Sequence, residues 1–107
     1  MNFYEQENNK TVLKTREIIR ELPEFCNEFF LDLNQNTLPK TRMGYAYDLR
    51  VFFNFLVTEN KEFLGRDIKS LTLDDLQKIK VVDINQFMDY LAYYVSDEDS
   101  QLYSNGE

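Results

Sequence analysis

The sequence predicts an all-α fold, a small bundle of four to five helices in a single domain, and three observations lead to this prediction. The 107 residues include nine Phe and seven Tyr, which supply a large apolar area for a chain of single-domain length. Only three Gly and two Pro are present, so signals for the tight turns of β-hairpins are few. In several segments, apolar residues recur at the three- and four-residue spacing of a helix face.

Two helices are predicted in the first third of the chain. A weakly amphipathic helix covers 11–22, after a polar segment at 1–10 that we expect to be flexible. The next helix begins at Pro23 and has a clear core-facing stripe. The residues of this stripe are Leu22, Phe25, Cys26, Phe29, Phe30 and Leu33. Because a single cysteine cannot form an internal disulfide, we interpret Cys26 as a small buried hydrophobe.

A long helix over 39–58 is the next predicted element. Pro39 suits the first turn of a helix, where the backbone N–H has no helical partner. The apolar stripe of this helix consists of Tyr45, Leu49, Phe52 and Leu56. Lys40, Thr41 and Arg42 lie in its first turn, and helix N-termini attract phosphate through unpaired N–H groups and the helix dipole. This turn is therefore predicted to contact a sugar–phosphate backbone.

Two more helix starts follow. Thr72 as N-cap, with Asp74 and Asp75 in the first turn, predicts a short helix that ends near residue 79. Asp83, with Gln86 three residues later, predicts the start of the last helix. The expected buried face of that helix consists of Ile84, Phe87, Met88, Leu91 and Val95.

The long helix resembles the second helix of the N-terminal core-binding domain of tyrosine recombinases, the phage-integrase and Xer-like family. The matching residues are Thr41, Tyr45, Asp48, Leu49, Phe52, Phe55 and Leu56. The order of the neighbouring segments extends this resemblance over 20–107. It implies a SAM-like helical domain that lacks its last helix, with 97–107 as an acidic tail or linker after a helical domain at 11–96.

The resemblance also implies a function, which is to clamp duplex DNA near the site of strand exchange. DNA contacts are expected from Lys40, Thr41 and Arg42, and from Tyr47 and Arg50 on the outer side of the same helix. The implied partners are double-stranded DNA and other recombinase protomers in a tetrameric synaptic complex. The catalytic residues of the family lie in a separate domain, so we expect this chain to be catalytically silent and to need no cofactor or metal. Loss of the last helix would uncover an apolar strip, through which the fragment is expected to self-associate.

The charge of the chain supports an alternative class, an acidic helical protein–protein interaction module without DNA binding. The net charge is −7, and phosphate affinity depends on Lys and Arg. Four acidic residues lie in 97–107, however, and the segment 37–58 carries +2. A small enzyme has no support, because the sequence contains no histidine and no glycine-rich phosphate loop. The sequence shows neither a secretory signal nor an apolar run of about 18 residues, so we expect a cytoplasmic protein without membrane contact.

Overall fold

Residues 3–34 and 36–93 form five α-helices and one short 3₁₀ turn. In chain order they are α1 (Phe3–Ile19), α2 (Cys26–Leu33), α3 (Pro39–Glu59), the 3₁₀ turn (Ile68–Ser70), α4 (Leu73–Leu76) and α5 (Val81–Tyr93). This computed structural model describes residues 3–34 and 36–93, with side chains from residue 8 onward. All regular structure within these residues is helical, which confirms the predicted all-α bundle. No described helix is both long and apolar enough to span a membrane. The predicted acidic tail at 97–107 lies outside the described residues.

Helix α3 is the central element, and α1, α5 and the 3₁₀ turn all pack against it. It begins at Pro39 as predicted and ends one residue later than predicted. Ala46, Phe53 and Leu56 are buried, whereas Tyr45 is exposed, although the sequence predicts it in the buried stripe. A single stripe does not describe this helix, because its neighbours cover several of its sides.

Helix α1 packs along α3 through a face that includes two threonines. Thr11, Thr15 and Ile18 are buried. The Thr15 hydroxyl donates to the Thr11 carbonyl oxygen at 2.9 Å, so its hydrogen bond is made within the helix and its methyl group is free to pack. The helix begins at Phe3, before the predicted start at residue 11. Threonine is a polar residue type, so the apolar pattern of the sequence underestimates the buried face of this helix.

Half of the stripe predicted around helix α2 is buried, and two more of its residues, Phe25 and Leu33, are half-buried. Leu22, Cys26 and Phe30 are buried, but Phe29 is exposed, contrary to expectation. The helix begins at Cys26 and not at Pro23, because a turn comes first, in which the Cys26 N–H donates to the Pro23 carbonyl at 3.0 Å. Burial raises the pKa of the Cys26 thiol to about 11, as expected for a packed hydrophobe and not a nucleophile.

Helix α4 has the predicted N-cap and is a single turn, shorter than predicted. Thr72 Oγ1 accepts from the Asp75 N–H, and Asp75 Oδ2 accepts from the Thr72 N–H at 2.9 Å, which completes a capping box. Arg66 Nη1 donates to Asp75 Oδ1 at 3.0 Å. The hydrogen bonds from Arg66 and from the Thr72 amide lower the pKa of the buried Asp75 carboxyl to about 2.

Helix α5 starts two residues before the predicted cap at Asp83. Asp83 lies in its first turn, where Oδ2 accepts from the Lys80 N–H at 2.8 Å and Oδ1 accepts from Asn60 Nδ2 at 3.0 Å. Asn60 itself is buried directly after α3, and its Oδ1 accepts from the Glu62 N–H at 2.9 Å. Asn60 and Asp83 therefore join the end of α3 to the start of α5.

Among the described residues, the predicted buried face of α5 is confirmed only at Phe87. The rings of Phe87 and Tyr90 pack on α3, with centroids 5.0 Å from Phe52 and 5.1 Å from Phe55, respectively. Three residues of the expected face are exposed instead, namely Ile84, Met88 and Leu91, and Val95 lies outside the described residues. Helix α5 carries apolar residues on two sides, so its periodicity alone could not determine which side meets the rings of α3.

Candidate nucleic-acid interface

The first turn of α3 exposes two of the five predicted contact residues, Lys40 and Thr41. This turn contains no acidic residue, and no side chain caps its N-terminus. The first N–H groups of a helix have no partner within the helix. The turn therefore combines an ammonium group, a hydroxyl and uncapped backbone donors, all of which suit a phosphate group.

Arg42 does not share a surface with Lys40, contrary to expectation. At 100° per residue it lies about 200° around the helix axis from Lys40. Its half-buried guanidinium faces α1 and α2, and Nη1 donates to the Thr37 carbonyl at 2.5 Å and to the Asn34 carbonyl at 3.4 Å. Both acceptors are neutral, so the guanidinium is held in place while its positive charge is retained.

Arg42 forms one wall of a groove between α1, α2 and the start of α3, which we call the arginine groove. Its volume is about 430 Å³. It is lined by Val12, Thr15, Arg16, Ile19, Arg20, Asn27, Phe30, Leu31, Asn34, Pro39 and Arg42. Sequence reasoning missed Arg16 and Arg20, although their spacing of four residues places them on one helix face. Their proximity to Arg42 depends on how α1 packs, and no sequence pattern reports that.

Two acidic side chains near the arginine groove are paired with basic residues outside it. Glu17 lies 3.8 Å from Lys14 Nζ, and Glu21 lies 3.3 Å from Arg50 Nη1. None of the described residues that line the groove is acidic. Positive charge is therefore concentrated there, although the chain as a whole is acidic.

Tyr47 and Arg50 do not lie on an open outer side of α3, so this expectation needs correction. The Arg50 side chain is only 18% exposed, pairs with Glu21 and stacks over the Tyr47 ring at 5.0 Å from its centroid. Tyr47 is half-buried against the core. Glu21, two residues after the end of α1, reaches this side of α3. It pairs with the Arg50 guanidinium, which the sequence predicts to contact DNA.

A second cavity, of about 720 Å³, lies at the opposite end of α3 and has mixed charge. Lys61, Lys78 and Lys80 line it, and so do three acidic residues, Glu59, Glu62 and Asp83. Carboxylates among the lysines weaken the attraction for a polyanion. The N-terminal end of α3 is therefore the better candidate for contact with nucleic acid.

No protein-family model, curated protein or solved structure matches this chain. The resemblance to tyrosine recombinases therefore stays a prediction from the residues that carry it in α3. What the geometry defines is a small helical domain with a basic surface at one end of its longest helix.

Proposed function

We propose that this chain is the DNA-binding domain of a site-specific tyrosine recombinase and holds duplex DNA near the site of strand exchange. The main support is the N-terminal end of α3, where Lys40 and Thr41 are exposed on one side of the helix, Arg42 lines the arginine groove on another, and no acidic residue occupies the first turn. The resemblance in the α3 sequence supplies the recombinase class. In this role the chain acts in the cytoplasm as one arm of a clamp, and strand transfer belongs to a separate domain and to synapsis with other protomers.

The acidic net charge is compatible with this proposal because charge is unevenly distributed. Counterion release depends on the cations that meet phosphates, and distant carboxylates are screened beyond about 10 Å at moderate ionic strength. Two of the carboxylates near the proposed surface, those of Glu17 and Glu21, are paired with Lys14 and Arg50. The local surface, and not the total charge, therefore decides whether DNA binds.

Replacing Lys40 with alanine is expected to weaken binding to duplex DNA severalfold at low ionic strength. If Lys40 contacts one phosphate, the slope of log affinity against log salt should fall in magnitude by about 0.9. Fluorescence anisotropy with a labelled duplex measures both quantities. Lys61→Ala is the matched control, because Lys61 is an exposed lysine about 30 Å away at the other end of α3.

Equal effects of the Lys40 and Lys61 substitutions on affinity and salt slope would remove the start of α3 from the interface. If the unmodified chain does not bind any duplex at low salt, the DNA-binding proposal itself is wrong. Circular dichroism of both variants confirms that they are folded.

A second candidate function, a self-associating interaction module, is favoured by an exposed apolar strip on α5. We define the strip by Val81, Ile84, Met88 and Leu91, all of which are exposed. In an antiparallel pair of copies, Val81 can lie opposite Leu91 and Ile84 opposite Met88, as a two-fold interface requires. No charged residue of α5 lies on this side, because Asp83 and Asp89 are about 120° away around the helix.

Met88→Lys is expected to abolish self-association, since it places a charge at the centre of the strip. Leu64→Lys is the control, because the exposed fractions of Met88 and Leu64 are 58% and 63% and each variant gains one charge. Sedimentation velocity over a range of concentrations should show a dimer for the unmodified chain and for Leu64→Lys, and a monomer for Met88→Lys. A monomeric unmodified chain at every concentration would exclude this candidate.

A further inference from the structure

We propose that the arginine groove binds a phosphate of the DNA strand, with Arg16 of α1 and Arg20, the residue directly after α1, as its ligands opposite Arg42. This inference rests on the proposed DNA-binding function and adds α1 to the interface. The chemistry that nucleic acid and free phosphate share is the phosphate oxyanion, and binding experiments with duplex DNA and with pyrophosphate separate the two sources.

The positive charge of the groove is not neutralised. Among the described side chains, neither Arg16 nor Arg20 takes part in an ion pair, and the charge of Arg42 is turned toward neutral carbonyl oxygens. A guanidinium can bind phosphate through two parallel hydrogen bonds. Three such groups around one groove, without a carboxylate in its wall, constitute a site for an anion.

The end of α1 is also compatible with negative charge nearby. The carbonyl end of a helix carries partial negative charge, which would repel a phosphate. Here Lys69 Nζ donates to the Arg20 carbonyl oxygen at 2.7 Å and offsets this charge beside the groove. The start of α3, with its uncapped N-terminus and Pro39 in the groove wall, adds partial positive charge.

The size of the groove and the rest of its wall suit more than a lone ion. A volume of about 430 Å³ lies within the range of small-molecule sites. Val12, Ile19 and Leu31 supply apolar surface, against which a deoxyribose can pack. Asn27 and Asn34 add side-chain amides that can donate to phosphate or sugar oxygens. Together these residues suit a sugar–phosphate unit.

Two double variants, compared in duplex binding by fluorescence anisotropy, test the groove. Arg16→Ala/Arg20→Ala is expected to reduce affinity roughly tenfold or more for each arginine that binds a phosphate, and to lower the magnitude of the salt slope by about 0.9 for each phosphate that is no longer bound. Lys61→Ala/Lys80→Ala is the matched control, since both lysines line the mixed cavity at the opposite end of α3. Arg42 is left unchanged because it also holds the turn before α3.

The outcomes distinguish a failure of the groove inference from a failure of the proposed DNA-binding function. If the unmodified chain binds duplex DNA and the arginine variant behaves like the lysine control, the groove is not part of the interface, and the DNA-binding proposal stands. If only the arginine variant loses affinity, the groove inference is supported.

If the unmodified chain does not bind duplex DNA, the proposed function fails, and inorganic pyrophosphate then probes the groove directly. NMR amide shifts at Asn27 and Asn34 that disappear in the arginine variant would support a site for free phosphate. Their absence from the unmodified chain would overturn the groove as an anion site.

Discussion

Replacing Phe53 with alanine is expected to lower the free energy of unfolding by about 3–5 kcal/mol. Phe53 is 2% exposed at the centre of the core, and its ring makes edge contacts with Phe25 and Phe52 at centroid distances of 6.0 and 5.6 Å. The substitution removes buried apolar area and leaves a cavity that a close-packed core fills only in part. Because domains of this size are stable by about 5–15 kcal/mol, the loss is a large share of the total.

Urea denaturation followed by circular dichroism measures this change. Phe29→Ala is the matched control, because it deletes the same atoms from a ring that is 45% exposed. We expect the control to cost less than half as much. Equal losses for the two variants would mean that Phe53 does not occupy a position in the core.

Replacing Asp75 with asparagine is expected to lower the melting temperature by roughly 5 °C or more at neutral pH. The carboxylate accepts hydrogen bonds from Arg66 and from the Thr72 N–H, and an amide can replace neither its charge nor all of its acceptor sites. These bonds hold the pKa of Asp75 at about 2, below the ordinary value of 3.8. A lowered pKa means that the folded state favours the ionised form, so this stabilisation is complete above about pH 4 and is lost as the pH falls toward 2.

The difference in melting temperature between the unmodified chain and Asp75→Asn should therefore shrink between about pH 4 and pH 2. Asp74→Asn is the matched control, since Asp74 is the adjacent acid in the same turn but is exposed. Its effect should be small. A deficit for Asp75→Asn that stays constant down to about pH 2 would contradict the role given to the carboxylate.

How far the sequence predicts the fold depends on whether a signal is local. The predicted start of α3 is confirmed, because Pro39 determines backbone geometry at its own position. The predicted buried face of α5 is wrong at Ile84, Met88 and Leu91, because the choice between its two apolar sides depends on Phe52 and Phe55 in another helix. The sequence pattern underestimates the buried face of α1, because the Thr15 hydroxyl is satisfied by a hydrogen bond within the helix, which the composition does not reveal.

The candidate site shows the same limit. The exposure of Lys40 and Thr41 in the first turn of α3 is predictable, because the helix start and the polar side chains both belong to one short segment of sequence. The engagement of Arg50 by Glu21 is not, because the two residues come from distant parts of the sequence. The arginine groove likewise combines residues of α1 with residue 42 of α3, so only the packed structure reveals it.

At the junction of α3 and α5, the hydrogen-bonding atoms of the Asn60 side chain matter more than its size. Its nitrogen donates to Asp83 and its oxygen accepts from the Glu62 amide, so both halves of the group are used in a buried place. An aspartate has the same outline, yet it would set two like charges against each other. A leucine of similar bulk would leave the Glu62 amide and the Asp83 carboxylate without that partner. Few other side chains of comparable size meet both demands at this corner.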